Sequence, residues 1–344
     1  MQVFWNSDSA RHAPQFFLQR GQVRAHYEIP ARAEALLAAC QALGLPIAMA
    51  APADLASLQA VHDAAYLAFL ADGYSAWSAL ADAGPEMVPN IHPSPEMIAL
   101  HRTPPASMIG KLGWFTADLA CPVGPDTWLA ARAGAGVALA AAAHLARHRS
   151  AYALTRPPGH HAYRGRAGGH CYLNNAAIAA EALLRHGAAR VAILDIDSHH
   201  GNGTQYIFYA RQDIFFASVH GDPSGYYPWY VGHADERGIG PGEEKNLNLP
   251  LRLGSGDAEW LGAIGTARAA IEKFQPDALV VSLGFDASRD EPLAALQVTE
   301  DGFARAGEII SALRLPTAII QEGGYNVAVM GTLLTRFLSG FSTH

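Results

Sequence analysis

Four short runs, YALT at 152–155, VAILD at 191–195, ALVVSL at 278–283 and TAIIQ at 317–321, are apolar almost without interruption. A strand covered on one face alternates apolar and polar residues, whereas one covered on both faces does not. These runs therefore belong inside a parallel sheet with helices on either side. Longer helical patterns lie between them, so the strands are joined by crossovers and the fold class is α/β. The predicted strands are Val3–Trp5, Pro46–Met49, Ala151–Thr155, Val191–Asp195, Ile214–Val219, Ala278–Leu283 and Thr317–Gln321. The predicted helices are Ala31–Leu43, Leu55–Leu70, Thr127–Arg147, Asn175–Arg185, Asp257–Phe274, Glu300–Leu313 and Val327–Leu338.

A chain of 344 residues allows either two domains or one large α/β unit. No internal repeat, low-complexity tract or long flexible linker divides it, which favours one domain over residues 1–344. The stretch from Ala71 to Gly110 stands apart, with prolines at 85, 89, 93, 95, 104 and 105. It is too long for an ordinary connection and reads as an inserted functional or interface loop.

Charge and cysteine usage narrow the function. Lys+Arg number 24 against 31 Asp+Glu, a net charge of −7. This is the wrong sign for gripping phosphate backbones, so nucleic acid is disfavoured and a small cationic substrate is mildly favoured. Cys40, Cys121 and Cys171 are odd in number and widely spaced, forming neither a disulfide framework nor a zinc knuckle, which fits a reducing, cytoplasmic compartment. The opening MQVFWNSDSARHAPQF lacks the basic and apolar regions of a signal peptide. The apolar run between Arg132 and Arg147, which includes His144, is shorter than the ~20 residues a bilayer requires. No membrane partner is expected.

The chemistry collects where the core strands end. Arg156-Pro-Pro-Gly-His160-His161 follows YALT, and Asp195-Ile-Asp197-Ser-His199-His200-Gly-Asn202 continues from VAIL. Phe285-Asp286 follows VVSLG, and Glu322-Gly-Gly-Tyr325 follows TAIIQ. Ligands of open α/β sheets bind outside the carboxyl ends of the strands, so all four clusters can converge on one crevice. If the chain stays extended, Asp195, Asp197 and His199 leave on one face. One carboxylate and the imidazole then point at one spot, and Asp286 brings the set to two oxygen donors and one nitrogen donor with a position left open, which suits a catalytic Zn²⁺ or a similar divalent ion. The plainer reading of Asp-x-Asp-x-His is a hydrogen-bonded strand end capping a helix.

His160 and His161 follow a rigid Pro-Pro-Gly turn, as a site that must fix two imidazoles requires. Histidine can take a proton from water and return it to a leaving amine near neutral pH, and Asp195 and Asn202 are candidates to set the ring tautomers. Tyr325, on a glycine turn, offers a hydroxyl to an oxyanion; a buried tyrosine bonded to a carbonyl is the alternative. Tyr226, Tyr227, Trp229 and Tyr230 crowd one loop, either lining a groove or packing as an apolar patch. No GxGxxG or GxxxxGK[ST] follows a strand, so nucleotide binding is disfavoured.

Together, RPPGHH, GGHCYLNNAAIAA, ILDIDSHHGNGT, FFASVHGDP, NLNLPL, VVSLGFDA and QEGGYN resemble the zinc-dependent histone deacetylase superfamily, in particular the bacterial acetylpolyamine amidohydrolases and class II-like deacetylases. The resemblance runs in order from about Pro30-Ala-Arg32 to the last helix. It implies a three-layer α/β/α arginase–deacetylase fold on an eight-stranded parallel sheet, and hydrolysis of N-acetyl or related acyl amides. Carried onto this chain, it implies Asp197, His199 and Asp286 as ligands of one Zn²⁺, with Fe²⁺ or Co²⁺ as substitutes. His160 and His161 match the catalytic pair, with Asp195 and Asn202 as their respective partners and Tyr325 as the oxyanion donor. Asp195, Asp197, His199, Ser218 and Val219 match a structural potassium site, and Gly169, His170 and Tyr227 match the channel wall.

Two positions depart from that pattern. His170 replaces a phenylalanine of the channel wall, and Ile109 stands where some acetylpolyamine members carry a glutamate for the substrate's cationic tail, a task for which Asp82, Glu86 and Glu96 are the candidate substitutes. The polyamine-type loop also implies a narrowed entrance and a homodimer or higher homo-oligomer. Small cationic N-acetyl amines therefore lead as substrates over acetyl-lysine proteins. A two-metal ureohydrolase of the same fold would need a carboxylate at 288, where this chain has Ser288. A non-catalytic acyl-amine binding protein is the rival of a different class.

Overall fold

In the computed structural model, which describes residues 1–293 and 295–342, the uninterrupted apolar runs lie side by side at the centre of one sheet. The strands, in chain order, are β1 (Gln2–Trp5), β2 (Phe16–Gln19), β3 (Gln22–Ala25), β4 (Ile47–Met49), β5 (Ser150–Ala153), β6 (Val191–Asp195), β7 (Ile214–Gly221), β8 (Asn246–Leu251), β9 (Ala278–Leu283) and β10 (Thr317–Gln321). Eight of them form the sheet β4-β1-β5-β10-β9-β6-β7-β8, every pairing parallel. All residues of β6, β7, β9 and β10 are buried. The two-residue period divides each strand between two cores: Val191 and Ile193 enter one, Ala192 and Leu194 the other.

Helices cover both faces. α6 (Thr127–His144) and α7 (Asn175–Arg185) bring small alanine-rich surfaces to the first core. α1 (Ala31–Ala42), α9 (Asp257–Phe274), α10 (Glu300–Ser311) and α11 (Met330–Phe341) close the second. The three-layer α/β/α expectation holds. Among the described residues no helix is long and apolar enough to cross a membrane, and all three cysteines are buried and unpaired.

Three sequence expectations change. The helix predicted over 55–70 is two, α2 (Leu55–Gln59) and α3 (Ala64–Ser78). They part because the ring of His62 turns inward, its Nε2 accepting from the Asn174 N–H at 2.9 Å and its Nδ1 lying 3.0 Å from the Tyr163 carbonyl. The Pro-rich stretch is partly helical: α3 runs into it, and α4 (Pro95–Leu100) and α5 (Met108–Phe115) start behind side-chain caps from Ser94 and Ser107. The last helix begins at Met330, three residues later than predicted, and ends at Phe341.

Outside the Pro-rich stretch, three strands and one short α-helix have no counterpart among the predicted elements. β2 and β3 form an antiparallel hairpin around Arg20 and Gly21, both at positive φ, the backbone a two-residue hairpin turn requires. β8 escapes notice because Asn246, Asn248 and Pro250 interrupt it; the asparagines are buried and donate to Gln205, and Pro250 is tolerable on an edge strand. The short α8 (Asn202–Phe208) completes the set.

Candidate active site

β5, β10, β9 and β6 are consecutive neighbours in the sheet, so the segments leaving their carboxyl ends meet over one crevice. Asp197, His199 and Asp286 present one ligand atom each, all within 4.8 Å of one another and all buried. His199 Nδ1 lies 3.0 Å from Asp286 Oδ2 and 3.2 Å from Asp197 Oδ1. Backbone donors hold the carboxylates: the Ser198 N–H to Asp286 at 2.8 Å, and the N–H groups of His199 and Gly323 to Asp197 at 2.9 Å each. The group fits a divalent cation. Burial, and then the charge on Asp197, push the Asp286 pKa upward, so two anions confined here require positive charge between them.

The extended Asp-x-Asp-x-His strand predicted from the spacing does not form. β6 ends at Asp195, and the chain then curls so that each carboxylate accepts from the N–H two residues on: Asp197 to Asp195 at 3.1 Å and His199 to Asp197 at 2.9 Å. Asp195 therefore faces His160, with Oδ2 2.9 Å from His160 Nδ1, while Asp197 and His199 join Asp286.

The two imidazoles are set to opposite charge states. Burial disfavours a cation at His160, yet the carboxylates of Asp195 and Asp197 outweigh it and raise its pKa to about 10. At His161 burial and then the neighbouring His160 act in the same direction and drive the pKa well below its usual value. His161 Nδ1 lies 2.6 Å from Asn202 Oδ1, while Asn202 Nδ2 donates to the Tyr163 hydroxyl at 2.5 Å. The amide oxygen only accepts, so the His161 proton sits on Nδ1 and the Nε2 lone pair is free.

His161, His199 and Tyr325 stand in the wall of a cavity of about 770 Å³, together with Gly169, His170 and Tyr227. This volume suits a small-molecule ligand. Gly169, at φ +52°, admits no side chain: a Cβ there would come within 2.4 Å of His161 Cδ2. Gly324, at φ +107°, packs so closely on Phe285 that its missing Cβ lets the chain turn and present Tyr325. Burial is the largest of the influences that hold the Tyr325 phenol protonated, its pKa well above the usual value. Ser218 pairs with Asp195 across β6 and β7, and Val219 follows it. Ser288 is buried, and its Oγ accepts from the Asp290 N–H at 3.2 Å.

Several residues of the site were not singled out from sequence. Glu322 Oε2 accepts from the N–H groups of Gly159 and His160 at 2.6 and 3.1 Å and so fixes the histidine turn. Beneath Tyr325, Glu28 pairs with Arg32 at 2.7 Å and Arg156 at 2.8 Å. The Arg32 guanidinium also lies 4.8 Å from the Tyr325 ring centre. The spacing of Glu28 and Arg32, i and i+4, was the available signal. Asp82, Glu86 and Glu96 are absent from the cavity wall; among the described residues Asp118 is the one carboxylate lining it.

A parallel sheet that gathers a histidine pair and a buried Asp–His–Asp group at one crevice is the framework of a deacetylase-type hydrolase. The chain belongs to the histone deacetylase domain family, whose model matches residues 26–341. It is 46% identical to the acetylpolyamine amidohydrolase of Burkholderia pseudomallei (strain 1710b), over 99% of this chain and 98% of that protein. It is 43% identical to acetylpolyamine amidohydrolase 1 of Pseudomonas aeruginosa, over 98% and 97% respectively. A crystal structure of acetylpolyamine aminohydrolase from B. pseudomallei superposes with a TM-score of 0.95 at 45% identity, covering 100% of this chain and 99% of that one.

Proposed function

We propose that this protein is a metal-dependent amidohydrolase that removes acetyl or related acyl groups from small cationic amines, N-acetylpolyamines foremost. The observation that carries the reading is a neutral, tautomer-fixed His161 in the wall of the same cavity as a buried Asp197–His199–Asp286 group. The names of the full-length relatives and the acidic charge balance support the substrate class.

Asp197, His199 and Asp286 would hold one divalent ion, Zn²⁺ in this reading. Bound there, it supplies Lewis-acid polarisation of the amide carbonyl and acidifies water. His161 Nε2 takes the proton of the attacking water. His160, held cationic by Asp195, lends positive charge beside it without giving up its own proton. The Tyr325 hydroxyl donates to the carbonyl oxygen as negative charge develops there. When the C–N bond breaks, His161 returns its proton to the leaving amine, so acetate and a free amine result. Asp195, Asp197, His199, Ser218 and Val219 would hold the structural potassium ion.

The Pro-rich stretch exposes Ile91, Met97, Leu100 and Ile109, which supports self-association as a homodimer or higher homo-oligomer. A panel of acetylputrescine, acetylcadaverine, acetylspermidine, acetyl-lysine peptides and longer acyl amines, run on metal-defined enzyme, tests the whole reading. Small N-acetyl amines should turn over fastest. Preference for acetyl-lysine peptides would move the protein to the class II type of deacetylase, and zero turnover at full metal occupancy would make it a binding protein. A metal content near two per chain would overturn the single-ion site.

A further inference from the structure

The wall of the cavity is unevenly charged. Arg20 and Arg24 reach it from the β2–β3 hairpin, whereas Asp118 is its one carboxylate among the described residues. A cationic substrate tail is repelled by the first pair and has one anionic group to meet. Asp118 is built into the wall rather than left loose: Oδ2 accepts from the Tyr227 hydroxyl at 2.6 Å and the Gly169 N–H at 2.9 Å, and Oδ1 from the Ala120 N–H at 2.8 Å. Cys121 Sγ lies 3.7 Å from the same Oδ1, but a thiol is a weak donor, so Oδ1 is the less committed of the two oxygens. Unlike Glu28, Asp195, Asp197 and Asp286, it has no salt bridge to any described residue.

Its place relative to the chemistry follows from the same contacts. The Tyr227 ring meets His161 edge-on, with centroids 4.9 Å apart, and Gly169 packs directly on the His161 ring. Asp118 therefore stands one layer of residues out from the proposed base, where a substrate extends a few methylenes beyond its amide. A carboxylate with preset geometry, one oxygen held only by an amide and a weak thiol donor, and no cation of its own is a receptor for an alkylammonium group.

We propose that Asp118 binds the substrate's free ammonium and thereby selects acylated amines that carry a positive charge a few methylenes from the amide. This rests on the amidohydrolase reading above. The test compares N-acetylputrescine with its neutral isostere N-pentylacetamide on the metal-loaded enzyme. In the wild type kcat/KM should favour the cation by about ten- to a hundredfold, the range of one charge-assisted contact, and the preference should shrink with added salt. Asp118→Asn should bring the ratio toward one. If Asp118→Asn does not fold, Asp118→Glu should keep a cation preference but move it to an acetyl diamine of different chain length.

A fall in both substrates alike, or an unchanged ratio in Asp118→Asn, overturns the assignment and leaves Asp118 as a strut of the wall. So does an unshifted chain-length preference in Asp118→Glu. Equal hydrolysis of both amides by the wild type also overturns it while the amidohydrolase reading stands. Hydrolysis of neither removes both.

Discussion

Asn202 Oδ1 sits 2.6 Å from Nδ1 of His161, and this one contact decides which ring nitrogen carries the proton. A neutral acceptor keeps the imidazole from gaining charge, in contrast with His160, whose partner Asp195 is a carboxylate. Asn202→Asp would place an anion against the ring and raise the His161 pKa. A base works only when deprotonated, so activity lost as pH falls through that pKa would be lost at higher pH. The acid limb of kcat/KM against pH should move up by about one unit, and an unmoved limb would remove His161 as the base.

Tyr325 has its ring beside Arg32 and its backbone N–H bonded to Glu291 at 2.8 Å, so truncating the hydroxyl leaves the loop anchored. Tyr325→Phe should lose about a hundredfold or more in kcat, the scale of one oxyanion donor. Elemental analysis should find its metal content equal to the wild type. Near-normal turnover would take the phenol out of the mechanism.

Removing the metal should cost stability as well as activity. Without it the carboxylates of Asp197 and Asp286 share a buried pocket, and a ligand present at a hundredfold its Kd stabilises by about 3 kcal/mol. Chelation should lower Tm, and added Zn²⁺ should restore it. Asp286→Asn should show neither response, and a metal-insensitive Tm in the wild type would argue against an ion at this group.

Glu28 is buried between two guanidiniums, so its removal would leave both without their shared anion. Burial alone would raise its pKa, but Arg156 and Arg32 prevail and hold it below the usual carboxylate range. Glu28→Gln should destabilise by about 3–5 kcal/mol, as breaking a buried pair does, and urea midpoints measure it. A loss under 1 kcal/mol, the scale of an exposed pair, would show the network to be dispensable.

His62 couples the fold to acid. Its Nε2 accepts from the Asn174 N–H, and burial lowers its pKa to about 4. The unfolded chain binds that proton below about pH 6.5 and the folded one does not. Stability should therefore be complete above pH 6.5 and decline toward pH 4, by about 1.4 kcal/mol per pH unit from this group. In His62→Gln urea unfolding should show a shallower acid slope, and an identical slope would acquit His62.

Much of the sheet was legible because its central strands are buried on both sides and must be apolar throughout; β6, β9 and β10 run within a residue of their predicted ends. Asp197, His199, Asp286, His160, His161 and Tyr325 drew attention because each follows such a strand; the structure gathers the first three into one buried group and sets His161, His199 and Tyr325 in one cavity wall. The β2–β3 hairpin was missed because its hairpin turn holds Arg20 where Asn or Asp would signal one. The break between α2 and α3 was missed because a distant backbone N–H captures His62. Asp118 carries no motif at all, and its significance arises from the cavity that folding closes around it.

Sequence alone determined the layer order and the list of groups that meet at the carboxyl edge, since strand periodicity and chain order settle both by local rules. Tertiary structure decided how those groups divide. The backbone curls after Asp195 because its carboxylate captures the next amide but one, and this sends Asp195 to His160 and Asp197 to the metal group. The opposite charge states of His160 and His161 likewise depend on desolvation and on partners 35 and 41 residues away. No local pattern encodes those distances.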